Sequence, residues 1–85
     1  MPHYMVIEHF RSGTSQAVYA RFAEKGRMLP DGLVYLDSWL SAQDDTCYQL
    51  MQTDRPETFD KWMRHWNDLV DFEVIELKEK PNGER

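Results

Sequence analysis

The feature that most constrains this chain is the order in which its hydrophobic period changes. Tyr4 to Phe10 (YMVIEHF) is short, β-rich and bounded by the turn residues Ser12-Gly13, so it reads as a strand. From Thr14 to Leu29, Val18, Phe22 and Leu29 lie on one helical stripe, with Gln16, Glu24 and Lys25 off it. Ser12 or Thr14 can cap that helix, and Gly26 followed by Pro30 marks its end region. Pro30-Asp31-Gly32 is a turn, and Leu33 to Leu40 (LVYLDSWL) is a second strand. The polar Ser41 to Asp45 suits a hairpin loop that returns through Thr46 to Gln52 (TCYQLMQ). Centring that loop on Gln43-Asp44 sets Trp39 opposite Tyr48 and Asp37 beside Leu50.

A second helix opens near Thr53 or Asp54 with Pro56 in its first turn, where the missing N–H costs nothing. Its apolar stripe is Phe59, Met63, Trp66 and Val70, widened by Trp62 and Leu69. Phe72 to Leu77 (FEVIEL) is the last strand. The order is β-α-β-β-α-β, and right-handed crossovers leave one economical arrangement. That is the ferredoxin-like α+β fold, a four-stranded antiparallel sheet with two helices on one face. With 85 residues the chain has room for one core, expected over 1–80, with 81–85 as a flexible tail.

Two helices cover one face of such a sheet. A second face meeting water should alternate cleanly between apolar and polar, and these strands do not. Met5 and Ile7 oppose Tyr4, Val6 and Phe10; Val34, Leu36 and Leu40 oppose Leu33, Tyr35 and Trp39; Ile75 and Leu77 oppose Phe72 and Val74. An apolar face of that size needs a cover, and a second copy packed sheet to sheet supplies one with two-fold symmetry. A homodimer through the sheet face is therefore expected.

Composition narrows the function classes. The net charge of −5 has the wrong sign for a non-specific nucleic-acid binder, and Arg21, Lys25 and Arg27 read as a solvated helix face. A single cysteine forbids an internal disulfide. No signal-like segment precedes the first strand and no apolar run is long enough to cross a bilayer, so a cytoplasmic protein is expected.

The strings MVIEHF, VYARFAEKGRMLPDGLVYLDSWL, CYQLMQTD and HWNDLVDFEVIEL resemble the small bacterial proteins of domain-of-unknown-function family 3303. The resemblance runs from Met5 to Leu77 and is most specific in RMLPDGLVYLDSW. It implies the dimeric α/β-barrel superfamily, which includes cofactor-free antibiotic-biosynthesis-type monooxygenases, muconolactone-isomerase-like proteins and stress-responsive dimers. It transfers a fold and no catalytic residue.

Among the residues themselves, Asp37 and Glu8 stand out as candidate catalytic groups. Each interrupts an apolar strand, and a carboxylate beside aromatics in a low-dielectric site can serve as an acid or base. Asp37 is expected on the face of Tyr35 and Trp39, and its plain alternative is a structural acid bonded to a helix terminus or to Arg27. With Tyr35, Trp39, Tyr48 and Trp66 these acids would form an aromatic-lined ligand pocket, suited to a small planar or cationic molecule. Arg27 or Arg64 could clamp an anionic group.

Cys47 sits mid-strand and reads as a small buried hydrophobe. His3, His9 and His65 lack the partners that a metal ion needs, so no metal is expected. No cofactor is expected either, since there is no glycine-rich phosphate loop or dinucleotide fingerprint. The reading that results is a dimeric barrel that binds a small apolar or aromatic molecule between sheet and helices. The alternatives are a cofactor-independent monooxygenase or isomerase, and a structural or regulatory protein-interaction module. An enzyme requires an accessible cavity, typically above about 300 Å³, whereas an interaction module has a filled interior.

Overall fold

The structure, a computed structural model, describes residues 2–78. The expected tail 81–85 lies outside the described residues. Strands β1 (His3–Phe10), β2 (Val34–Leu40), β3 (Thr46–Gln52) and β4 (Val70–Leu77) and helices α1 (Ser15–Lys25) and α2 (Glu57–Met63) follow one another as β1-α1-β2-β3-α2-β4. The strands form one antiparallel sheet in the order β2-β3-β1-β4. The ferredoxin-like arrangement is thus the one the order of periods predicts.

Strand parity sorts the residues onto two faces. On the helix side β1 supplies Tyr4, Val6, Glu8 and Phe10, with Met51, Gln49 and Cys47 of β3 and Glu76, Val74, Phe72 and Val70 of β4 as their cross-strand partners. The core lies there: Tyr4, Val6, Val18, Leu33, Met51, Phe59, Trp62, Trp66 and Val70 are all buried. Phe59 sits edge-on to Tyr4 at 4.9 Å, and Trp62 meets Phe72 at 5.3 Å, so α2 docks through large rings in the T-shaped geometry that their quadrupoles favour.

Helix α1 is shorter than its stripe suggests. It stops at Lys25 because Gly26 takes a left-handed φ of 68° and donates its N–H to the Phe22 carbonyl, leaving Leu29 in the loop beyond. Thr14 occupies the N-cap, yet its hydroxyl does not cap: it donates to the carbonyls of Arg11 and Leu69, tying the helix entry to the segment before β4. In the next loop Gly32 (φ 93°) is the third residue of a turn closed by Leu33 N–H to Pro30 C=O at 3.2 Å.

Helix α2 is also cut short. After Met63 the chain continues in tight turns, with His65, Trp66 and Leu69 donating to carbonyls three residues back. Val70 therefore opens β4 opposite Phe10 rather than closing the helical stripe, and β4 begins two residues before the expected Phe72.

On strand β2 the expected hairpin register holds, with Trp39 opposite Tyr48 and Asp37 opposite Leu50. Its facing is another matter. A bulge between Tyr35 and Asp37 inserts one residue, since Tyr35 pairs with Met51 while Asp37 pairs with the very next residue back, Leu50. Tyr35 and Ser38 thus both fall on the helix side and share a 2.6 Å hydrogen bond, whereas Asp37 and Trp39 fall on the other. The expectation that Tyr35, Asp37 and Trp39 share one face is overturned by this single extra residue.

The second face is uncovered and carries an apolar patch beside Asp37 and the His9–Glu73 pair. Val34, Trp39, Tyr48 and Ile75 are exposed there, Trp39 to 51%. The Cα envelope is 18 Å deep along its shortest axis, which leaves space for two layers and no third.

Candidate functional site

A cavity of about 210 Å³ opens between the sheet and α1. Glu8, Cys47 and Gln49 line it from the two central strands, Val18, Tyr19 and Phe22 from α1, and Phe10, Arg27, Leu40, Trp62 and Trp66 complete its wall. The volume is below the ~300 Å³ at which typical drug-sized sites begin, so any occupant is small.

Glu8 is the polar centre of this space. Period two places it with Tyr4, Val6 and Phe10, so an acid takes a core position, and it is 8% exposed. Gln49, on β3 at the position paired with Val6, donates from Nε2 to Glu8 Oε2 at 2.6 Å. Burial pushes the Glu8 carboxyl up to about 7, against the opposing pull of Arg27 and of the Gln49 hydrogen bond. Desolvation wins because no counter-ion is close enough to pair: among the described residues Glu8 has no salt bridge. A carboxyl poised there exchanges a proton readily at neutral pH.

Cys47 lies directly across from Glu8 in the ladder. Burial, and then the Glu8 charge, raise its thiol to about 11, so it is a neutral S–H at physiological pH and not a nucleophile. The expectation of a quiet apolar cysteine fits this chemistry, although Cys47 is only half-buried and lines the cavity wall.

Arg27 is held unusually well for a loop residue. Its carbonyl accepts from two indoles, Trp62 Nε1 at 2.9 Å and Trp66 Nε1 at 3.2 Å. Its neighbours Gly26 and Met28 both take positive φ, 68° and 59°, a conformation that costs a non-glycine residue about 1 kcal/mol or more. The guanidinium stacks over the Tyr35 ring at 3.6 Å and lies 5.0 Å from the Phe22 ring centre. Among the described residues its N–H groups carry no hydrogen bond or ion pair.

A second arginine supports the site from outside. Arg21 donates through both guanidinium nitrogens to Asp68, at 2.8 and 2.9 Å, and from Nη1 to the His65 carbonyl at 2.7 Å. Its guanidinium also lies 5.7 Å from the Trp66 ring centre. Hydrogen bonding from Arg21 holds the Asp68 carboxyl down at about 2. This fork fixes the turns that carry Trp66, so Arg21 is more than the solvated face read from sequence.

Of the residues singled out in the sequence, Glu8, Arg27 and Trp66 meet at the cavity. Tyr35 stands behind Arg27 as its stacking platform. Asp37, Trp39 and Tyr48 lie on the opposite face, where Asp37 Oδ1 accepts from the Ser38 backbone N–H at 2.8 Å. Arg64 is exposed and donates to the Asp60 carbonyl within its own helix. Gln49, Phe10, Tyr19, Phe22, Leu40 and Trp62 were missed as site residues. For Gln49 the signal was present, because a polar side chain at the centre of TCYQLMQ shares parity with Met51 and so faces the core.

Among the described residues no three His, Cys, Asp or Glu side chains cluster as a metal-binding set, and no helix is long and apolar enough to cross a membrane. His9 faces away from Glu8 and lies 3.7 Å from Glu73.

A ferredoxin-like sheet with its layer of two helices, an acid buried in an aromatic cavity and one sheet face bare define the class of this protein. The family profile described as "Domain of unknown function (DUF3303)" matches residues 2–77, and the chain belongs to that family. No curated protein matches it. Two solved structures share the fold. One is a candidate antibiotic biosynthesis monooxygenase from Chloroflexus aurantiacus J-10-fl, 12% identical with a TM-score of 0.51, covering 96% of this chain and 98% of its own. The other is Rv0793 from Mycobacterium tuberculosis, 15% identical with a TM-score of 0.55, covering 95% of this chain and 100% of its own. At such identities the likeness speaks for the fold alone.

Proposed function

We propose that this protein takes a small apolar or aromatic molecule into the cavity between its sheet and helices and exchanges a proton with it through Glu8. The observation that carries this reading is the carboxyl itself. An acid buried among Phe10, Trp62 and Trp66, raised to about 7 and without a salt bridge among the described residues, opposes folding, and its place in the cavity wall supports a role toward a ligand. The cavity of about 210 Å³ supports a small occupant over a filled interior, although it is smaller than the ~300 Å³ expected of an enzyme site.

The cofactor-independent enzyme is the finer form of the same reading. A base titrating near 7 can remove a proton from a weakly acidic substrate without a metal or prosthetic group. The substrate anion can then react with dioxygen, as in a monooxygenase, or be reprotonated elsewhere, as in an isomerase. Asp37 has no part in that chemistry, since it lies on the far side of the sheet. The bare face belongs to a second copy: in this reading the protein is a homodimer joined through Val34, Trp39, Tyr48 and Ile75.

Thermal unfolding against a metabolite set at pH 7, followed by tryptophan fluorescence, tests the proposal. A ligand at 100 times its Kd adds about 2.7 kcal/mol to stability and alters the emission of Trp62 or Trp66. Turnover of that ligand falls by at least a hundredfold in Glu8→Gln and is unchanged in Asp37→Asn. A broad set that leaves both stability and emission untouched defeats the reading.

A further inference from the structure

We infer that the occupant of this cavity is a single planar ring whose polar edge sets a hydrogen-bond donor beside an acceptor, the donor meeting Glu8 and the acceptor meeting Arg27. The inference rests on reading the cavity as a ligand site and specifies what that site selects.

Size sets the first limit. An engineered apolar cavity of about 150 Å³ holds one benzene molecule, and the space here is about 210 Å³. The difference leaves room for a small substituent, and a larger molecule would have to extend through the open side of the cavity. The walls set the second limit. Phe10, Tyr19, Phe22, Trp62 and Trp66 present ring faces and edges, which suit a flat ligand.

The third limit comes from what Glu8 and Arg27 have left unspent. Gln49 occupies Oε2 of Glu8, while Oε1 has no protein partner among the described residues. An ionised carboxylate oxygen only accepts, so it calls for a donor. Arg27 lies over the Tyr35 ring with its guanidinium carbon 3.6 Å from the ring centre, and a guanidinium seated on a ring face leaves its in-plane N–H groups available. Those groups only donate, so they call for an acceptor. Both residues line the same small space and feel each other's charge. A ligand with a negative edge alone is repelled by Glu8, and one with a positive edge alone is repelled by Arg27. A primary carboxamide, offering N–H next to C=O, satisfies both at once.

The test compares four probes of one ring on the wild-type protein at pH 8, where Glu8 is ionised: benzamide, toluene, benzoate and benzylamine. Binding is read from ligand-observed NMR or calorimetry. Benzamide should bind at least tenfold more tightly than each of the others. Arg27→Met and Glu8→Leu should each erase that preference while toluene still binds, which also shows that the variants remain folded. If a variant no longer binds toluene, Arg27→Lys and Glu8→Gln replace it, and each must reduce the preference at least threefold. Toluene binding as well as benzamide to the wild type overturns the inference and leaves the cavity reading intact. Benzamide preference that survives the substitutions overturns it too. No binding by any probe removes both this inference and the cavity reading.

Discussion

Glu8 couples stability to pH in a direction opposite to that of most carboxylates. Its folded value of about 7 lies above the ordinary 4.5. Between the two, the folded chain keeps a proton that the unfolded chain has lost. Stability is therefore fully present below about pH 4.5 and is lost as pH rises through 7, by about 3 kcal/mol at a separation of this size. Glu8→Gln removes the effect, so urea unfolding should find the variant about 1–3 kcal/mol more stable than wild type at pH 8 and nearly level with it at pH 4.5. A difference that stays constant across that range would refute the assignment. Cys47 gives an independent check. A thiol held at about 11 should react with iodoacetamide at pH 8 about a hundredfold more slowly than free cysteine. In Glu8→Gln it should react faster, because the neighbouring charge is gone. How readable these residues were depended on parity. Parity groups Glu8 with Tyr4, Val6 and Phe10, and the packing of the helices identifies theirs as the core face. Arg27 could not be placed in this way, because its position depends on two left-handed residues, one of them Met28, and nothing in the type of residue announces that conformation.

At the level of elements, the strands were legible and the helix ends were not. Short β-rich runs bounded by turn and loop residues located β1 and β3 to within a residue. By contrast the stripe through Leu29 and Val70 continued past the true ends of α1 and α2, since an apolar residue suits a loop or a strand that faces the same core. The bulge in β2 was equally silent: Leu36-Asp37 contains neither glycine nor proline to mark it. The turn before β2 is the clearest case of sequence dictating geometry. At Gly32 a Cβ would come within 2.5 Å of an Arg55 side-chain nitrogen, and φ is 93°. Arg55 can swing aside, so strain in the backbone dominates. Gly32→Ala should cost about 1–2 kcal/mol, measured by chemical denaturation, and an unchanged midpoint would show that the loop relaxes. Between elements, the twin indole bonds to the Arg27 carbonyl fasten α2 and the following turns to the loop after α1. Trp66→Phe removes one of them at a cost of about 1 kcal/mol, and it should loosen Arg27 enough to weaken any ligand in the cavity.

For the whole molecule, the proposed homodimer rests on the bare sheet face, which a second copy would cover. Light scattering behind size-exclusion chromatography should return twice the chain mass at micromolar concentration. Trp39→Lys places a charge on the most exposed of the large apolar side chains and should weaken pairing at least tenfold without disturbing the cavity. A monomeric wild type would leave that face unexplained.

The extra residue in β2 has a consequence for how this protein can change. Because of it, one strand serves two rooms: Tyr35 props the arginine on one side of the wall, and Trp39 looks out from the other. Removing Leu36 would restore plain alternation and turn one of those side chains through the wall. Traffic inside the first room and company outside the second would then no longer be separable, and a visitor in one should be felt in the other.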